Sequence, residues 1–457
     1  MASRVSGSRV SRLGKMVWMA RKAVPLALSR VRGRGDPSAA EDPTHLRAAE
    51  ELLGKLGELK GLGLKLGQML SYIDGALPAD AEPVFRRVLS KLQSDAPSLP
   101  WEAARGVLEE SLGDWQTHFA SLEEEPFAAA SIGQVHRARL HDGTEVAVKI
   151  QYPGVAEAVK ADLANLDSAK SLAAPMLALL GASTNAQFAG NVLEEIRARM
   201  QEELDYEREA RMQQRFAEMY ANVPQLVVPA VFPEHGGARV LTTAFEPGRS
   251  LDEVTDAPQA LRNRWGETLA RAVTDSLYVH HTFNGDPHPG NYLFRDDGTV
   301  VLLDFGCVKE IPADMATDMR RYMTAAVRAA RTDRPEDWKA FEAALADALA
   351  LQRGDEAVET FFRDLFLYMI EPILRDRPFA FTPEWVARMN DLMLEGKREL
   401  VFGGGRMPRV PKVPPMPAGY TFINRLQWGF YSVLTRLQAE FNWHALLPPE
   451  IRGANEV

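Results

Sequence analysis

A single cysteine, Cys307, is the only thiol in this chain of 457 residues. A lone thiol cannot close an internal disulfide, so nothing in the fold requires an oxidising compartment. Cys-x-x-Cys pairs and Cys/His clusters are absent, which leaves no ligand set for a structural zinc. Long apolar runs are missing too. Leu172–Ala182 is interrupted by Pro175, and it is roughly half of the 20 residues that a membrane-spanning helix needs. Phe422–Leu437 holds Asn424, Arg425, Gln427 and Arg436 and reads as an amphipathic or core helix. A clean apolar core followed by a small-residue cleavage site is lacking, so no secretory signal is expected. Acidic residues are absent from positions 1–35, where nine Lys/Arg stand. The rest of the chain therefore carries 44 basic and 62 acidic residues, a net charge of −18. Such an acidic body is ill suited to nucleic acid, whereas the basic tail can meet an anionic surface.

What is present is an ordinary globular composition, 46% hydrophobic and 25% charged, in a chain long enough for two or three cores at roughly 100–200 residues each. In the basic tail, residues 1–43, Val10, Leu13 and Val17 fall at i, i+3 and i+7 among arginines and lysines. That pattern fits an amphipathic helix on a membrane, a solvated tail or an organelle transit peptide. Residues 44–120 keep a helical apolar stripe, Leu52, Leu56, Leu59, Leu66, Met69 and Ile73, although Gly54, Gly57, Gly61, Gly63 and Gly67 lie within it. Glycines at a helical period favour close approach of another backbone over simple helix formation.

From about residue 125 the period changes to that of strands. Pro126–Leu140 and Thr144–Gln151 flank Asp142-Gly143, and Tyr292–Leu303 folds about Asp297-Gly298. Asp-Gly between alternating runs is a strong hairpin signal. Short strands are expected near Gln225–Val231 and Arg239–Phe245, and helices over 155–220, 258–281 and from 312 onward, apart from a Pro/Gly-rich connector at Gly403–Pro417. A small sheet followed by a mostly helical half predicts an α+β chain of protein-kinase outline.

Three groups of residues carry chemistry on that outline. In Ala147-Val148-Lys149-Ile150, Lys149 points away from Val146, Val148 and Ile150. It is either a phosphate contact behind a small-residue loop or an ordinary exposed strand lysine. In Asp286-Pro287-His288-Pro289-Gly290-Asn291, Asp and Asn stand at the spacing of a kinase catalytic loop, and Asp304-Phe305-Gly306 follows a strand 13 residues after Asn291. Hard oxygens that leave room for phosphates suit Mg²⁺. A helix glutamate to pair with Lys149 lies within Glu203–Ala210, a stretch that otherwise reads as a solvated charged face. In place of a Gly-rich loop stands Ala128-Ala129-Ala130-Ser131, and Lys65-Leu66-Gly67-Gln68 lies far upstream.

Lys65-x-Gly67-Gln68, the Ala128–Ser131 loop, Glu203-x-Asp205 and Asp286–Asn291 together resemble the UbiB/AarF family of atypical, protein-kinase-like enzymes of coenzyme Q biosynthesis. The resemblance implies a bilobal kinase-like fold with ATP and Mg²⁺ as cofactors: a helical Lys-x-Gly-Gln extension (44–120), an N-lobe with a helical insert (121–246), a C-lobe (247–375) and a C-terminal helical extension (376–457). It implies that Lys149 contacts the phosphates and pairs with Glu209, that Ala128, Ala129, Ala130 and Ser131 cover the nucleotide, that Asn291 and Asp304 hold Mg²⁺, and that Asp286 is the catalytic aspartate. Lys65, Gly67 and Gln68 would meet Glu203 and Asp205 and occlude the face where a protein substrate docks. Asn284-Gly285 departs from the His-Ala of many members. The expected activity is that of an atypical kinase or ATPase supporting ubiquinone biosynthesis, with ATP hydrolysis coupled to lipid or partner handling. Membrane lipids and quinone-biosynthesis enzymes are the expected partners, nucleic acid is not, and self-association is left open. A small-molecule kinase of the aminoglycoside type and an ATP-binding pseudokinase scaffold stay open as alternatives. The expected place is cytoplasmic, peripheral at the inner membrane, or mitochondrial with residues 1–35 as the transit peptide.

Overall fold

A computed structural model describes residues 99–130, 132–168, 197–198, 200–351, 353–402 and 418–453. The basic tail, the glycine-laden stripe, Lys65, Gly67, Gln68, Ser131 and the connector at Gly403–Pro417 lie outside the described residues. The chain divides into two compact units. One runs to Gln214 and adds Ala230–Phe245; the other takes Arg215–Pro229 and everything from Glu246.

In the first unit, helix α1 (Trp101–Leu112) precedes strands β1 (Ser121–Leu122), β2 (Ala128–Ala129), β3 (Gly133–Arg139) and β4 (Glu145–Gln151). Helices α2 (Val155–Ser168) and α3 (Tyr206–Met219) follow, α3 running on into the second unit. The sheet has the order β1-β3-β4-β6, with β2 also on β3; β6 is Val240–Ala244. The run expected as one strand over 126–140 is broken into two. A tight turn closed by the Ala130 N–H to the Gly133 carbonyl (2.9 Å) folds β2 back onto β3. The β3–β4 hairpin turns at Gly143, whose φ of 90° is one that glycine adopts without a Cβ clash. Val146, Val148 and Ile150 are fully buried, in one cluster with Val107 and Leu108 of α1. The other sheet face packs Ile132 and Leu241 against Val155, Val159 and Tyr206. Period-2 alternation therefore sends Lys149 to the α3 face.

The second unit begins with the end of α3 and with β5 (Leu226–Val227). It continues through helix α4 (Gln259–Tyr278) and strands β7 (Thr282–Asn284), β8 (Tyr292–Phe294), β9 (Val300–Leu302) and β10 (Val308–Glu310). The β8–β9 hairpin turns at Gly298 (φ 91°), and β5 joins β9 in parallel. β7 pairs with β10, placing Asn284 opposite Val308. Helices α5 (Ala313–Thr332), α6 (Pro335–Ala348), α7 (Glu356–Leu374), α8 (Pro383–Phe402), α9 (Ala418–Arg436) and α10 (Pro449–Arg452) complete the unit; β11 (Phe379–Ala380) and β12 (Glu440–Phe441) pair between them. Phe381, Trp385, Tyr431, Phe441 and Trp443 form an aromatic cluster that holds α9 in this unit, with Phe381 and Tyr431 at most 1% exposed. Among the described residues, no helix is long and apolar enough to cross a membrane.

Candidate functional site

In the first unit the sequence places a lysine on β4 and three candidate glutamates on or before α3. The fold selects Glu209. Asp205 caps α3, its carboxylate accepting the Arg208 N–H at 2.8 Å while its carbonyl accepts the Glu209 N–H. A carboxylate at a helix N-terminus is favourable there. That cap sets Glu209 one turn into the helix, facing the sheet and only 3% exposed. Lys149 Nζ donates to both of its oxygens, at 2.7 and 2.9 Å. Glu203 is half-buried and Asp205 exposed, just ahead of this pair; their expected partners Lys65 and Gln68 lie outside the described residues.

Tyr206, which the motif reading passed over, completes the seat of the lysine. Its ring centre is 4.8 Å from Lys149 Nζ and the side chain is 1% exposed. An ammonium over a phenol face is attracted by the ring quadrupole. The Tyr206 hydroxyl lies against Gly133, where a Cβ would stand 2.8 Å from it and 2.4 Å from the Ile150 carbonyl oxygen. Only glycine fits, and it lets the backbone that follows the alanine turn approach α3. The one available signal was the aromatic residue inside Glu203–Ala210.

Ala128 and Ala129 form β2 itself, and their side chains are exposed. The Gly-rich loop of a typical kinase is here a hydrogen-bonded ribbon. A buried polar relay supports it. Gln134 Oε1 accepts the Leu99 N–H (2.9 Å), which makes its Nε2 the donor to His136 Nε2 (2.9 Å). His136 then carries its proton on Nδ1 and donates to the Glu123 carbonyl at 2.8 Å. Burial lowers the pKa of His136, which favours this neutral tautomer.

In the second unit the two acidic motifs are joined by Asn284. Its Oδ1 accepts the Asp286 N–H at 3.0 Å, and its Nδ2 donates to the Asp304 carbonyl at 2.5 Å. Asn291 Nδ2 donates to the Asp286 carbonyl at 3.0 Å, and the Leu303 N–H donates to the Asn291 carbonyl at 3.0 Å. Asp286, Asn291 and Asp304 thus belong to one hydrogen-bonded loop system, each half-buried. Asn284, noted in the sequence as a departure, does the bridging. Phe305 is fully buried, 5.1 Å from the Phe216 ring, which fixes the strand end that carries Asp304. Helix α9 supports the loop from outside: a Cβ at Gly429 would stand 2.2 Å from Pro287 Cγ.

The donor set fits a hard divalent cation. Asn291 commits its Nδ2 to Asp286, which leaves Oδ1 as the amide atom able to ligate. Asp304 uses Oδ1 for the Gly306 N–H (2.9 Å), which leaves Oδ2. Two protein oxygens, with water and phosphate completing the shell, is a common Mg²⁺ arrangement.

Comparison with known proteins agrees with the motifs. Residues 91–334 match the ABC1 atypical kinase-like domain. The chain is 39% identical over 315 residues to the mitochondrial atypical kinase COQ8B of Rattus norvegicus, covering 66% of this chain and 57% of that protein. It is 32% identical over 283 residues to the mitochondrial atypical kinase COQ8 of Saccharomyces cerevisiae, covering 61% and 54%. The chain thus spans little more than half the length of these relatives. Among solved structures, the Rv3197–erythromycin complex from Mycobacterium tuberculosis is similar at a TM-score of 0.62 and 29% identity, over 91% of this chain and 100% of that one. The α+β architecture is therefore protein-kinase-like, and the chain belongs to the ABC1 atypical kinase-like family, the UbiB/AarF group to which COQ8 is also related.

Proposed function

We propose that this chain binds Mg-ATP and turns it over as an atypical kinase or ATPase in support of ubiquinone biosynthesis. The observation that carries the reading is the Lys149–Glu209 pair, a bidentate contact to a buried carboxylate. A buried ion pair contributes little net stability over a hydrophobic pair, so its presence points to use. In this reading Lys149 contacts the phosphates, and Ala128, Ala129, Ala130 and Ser131 cover the nucleotide. Asn291 and Asp304 hold Mg²⁺, which neutralises phosphate charge when bound. Asp286 orients the attacking hydroxyl or water. Lys65, Gly67 and Gln68, with Glu203 and Asp205, close the protein-substrate face, which favours hydrolysis coupled to lipid or partner handling over phosphorylation of proteins. A membrane surface is the proposed place of action, in keeping with relatives named as mitochondrial.

Mg²⁺-dependent ADP release from the purified protein tests this, with Asp304→Asn as control. Turnover that vanishes in the variant supports the reading. Tight ATP binding with turnover no higher than in the variant favours a scaffold.

Two further outcomes follow from the site. Tyr206→Leu removes the ring beneath Lys149 and is expected to raise KM for ATP about tenfold, between the sizes of an exposed and a fully desolvated cation–π contact. Tyr206→Phe restores KM because the ring remains; equal loss in both variants would point to the hydroxyl and a merely structural role. Asn284→Ala cuts the bridge between Asp286 and Asp304. We expect kcat to fall about tenfold or more through misplacement, with Mg-ATP affinity nearly kept. A loss confined to KM would show that Asn284 serves binding and not alignment.

A further inference from the structure

A groove of about 920 Å³ lies in the second unit, along α5 and beside α10. The buried face of α5 presents Met315, Met319, Tyr322 and Met323 to the core. Its other face presents Thr317, Arg320, Thr324, Arg328 and Arg331 to the groove, at steps of three, four, four and three residues. Arg321 and Arg452 also line it, and the carboxylates that line it among the described residues are Asp337 and Glu450. Among the described residues, five guanidinium groups line the groove with two carboxylates, in a chain whose formal charge is −9.

The pairing within the groove is uneven. Arg328 Nε meets Asp337 at 2.9 Å, and Arg321 meets Asp318 and Asp347 at 3.2 and 3.4 Å. Arg320 donates to the Tyr278 carbonyl at 3.3 Å, a neutral partner that leaves its charge in place. Arg452 Nε is buried with no hydrogen-bond partner among the described residues. That nitrogen is shielded from solvent, so the terminal nitrogens of Arg452 are the ones that would meet a ligand in the groove. Ala313, Ala316, Ala325 and Ile451 supply a small-residue, apolar lining beside these charges. His281 is the one ring that lines the groove among the described residues, so nothing here is built to stack a nucleobase.

We propose that this groove binds a ligand bearing a phosphate or diphosphate group, held by Arg320 and Arg452, with an apolar portion lying on the alanine side. Guanidinium forks match phosphate oxygens in pairs and carry their charge at every physiological pH. The volume is that of a small-molecule site, about 300–1,000 Å³. The same chemistry is offered by a soluble phosphate ester and by a phospholipid headgroup.

The test uses the full chain without Mg²⁺ or nucleotide. Pyrophosphate is titrated calorimetrically into wild type, the Arg320→Gln/Arg452→Gln double variant and Thr317→Glu. The last keeps every arginine and the exposed position tolerates it, so it serves if the double variant folds poorly. Co-sedimentation is measured in parallel with vesicles of phosphatidylcholine alone and of phosphatidylcholine mixed with phosphatidylglycerol. We expect pyrophosphate affinity to fall about tenfold in both variants. If the source is a soluble ester, vesicle binding is unchanged by either substitution. If it is a headgroup, binding to the phosphatidylglycerol vesicles falls in both variants and pyrophosphate competes for it. Unaltered affinity for pyrophosphate together with unaltered vesicle binding would overturn the proposal, and any vesicle binding would then belong elsewhere, such as the basic residues 1–35.

Discussion

Asp304→Asn is expected to lower Mg²⁺-dependent ADP release about a hundred- to a thousandfold, the scale on which removal of one preorganised electrostatic group acts. The substitution keeps size and shape. The asparagine carbonyl oxygen still accepts the Gly306 N–H that Asp304 Oδ1 now accepts at 2.9 Å. The Asp304 backbone carbonyl still receives Asn284 Nδ2, and buried Phe305 still packs on Phe216. Only the negative charge and one carboxylate oxygen, the proposed Mg²⁺ ligand, are removed. The melting temperature should therefore move by no more than about 2 °C. The loss should be partly recovered by raising Mg²⁺, since a weakened ligand set is filled by mass action. A coupled ADP assay across a Mg²⁺ titration, beside a thermal melt, measures both. Undiminished turnover at limiting Mg²⁺ would remove Asp304 from the metal site and put the proposed chemistry in question.

Much of the framework was legible because it rests on local rules. The alternation of Val146, Val148 and Ile150 fixed which way Lys149 points, and the Asp-Gly pairs marked both hairpins, whose glycines do take positive φ. The two acidic motifs could be placed on a loop and at a strand end from spacing alone. What stayed illegible depends on distance in sequence. No local rule chooses Glu209 over Glu203 or Glu207: the family resemblance named it, and the physical choice follows from the Asp205 cap and from where α3 meets β4, 60 residues earlier in the chain. Asn284 looked like the loss of a structural histidine, yet its side-chain amide can donate and accept at once, and that is how it holds both motifs. Nothing local shows that Gly429 leaves the room that Pro287 takes, since the two lie far apart in the chain. Around α5 the sequence predicts helix alone; that the arginine side of α5 lines a groove depends on residues 450–453, far along the chain.

Glu209→Gln tests whether the ion pair is used for position or for stability. The glutamate side chain is 4% exposed and that of Lys149 18%, so solvent does little to screen either charge. The neutral amide leaves the ammonium without its nearest carboxylate in a partly buried place. Breaking such a pair from one side costs about 3–5 kcal/mol when fully buried, and the residual exposure of Lys149 brings the expected value to the lower end, about 3 kcal/mol. Lys149→Met should cost a comparable amount by leaving the carboxylate buried. The Lys149→Met/Glu209→Gln double variant should lose less than the sum of the two, because neither charge is then stranded. Urea unfolding of all four proteins gives the cycle. Function should respond differently: the double variant, though partly restored in stability, should bind ATP as poorly as Lys149→Met alone, since the ammonium is gone in both. Additive stabilities would mean that the two side chains are not coupled, and recovery of ATP binding in the double variant would mean that Lys149 is not the phosphate contact.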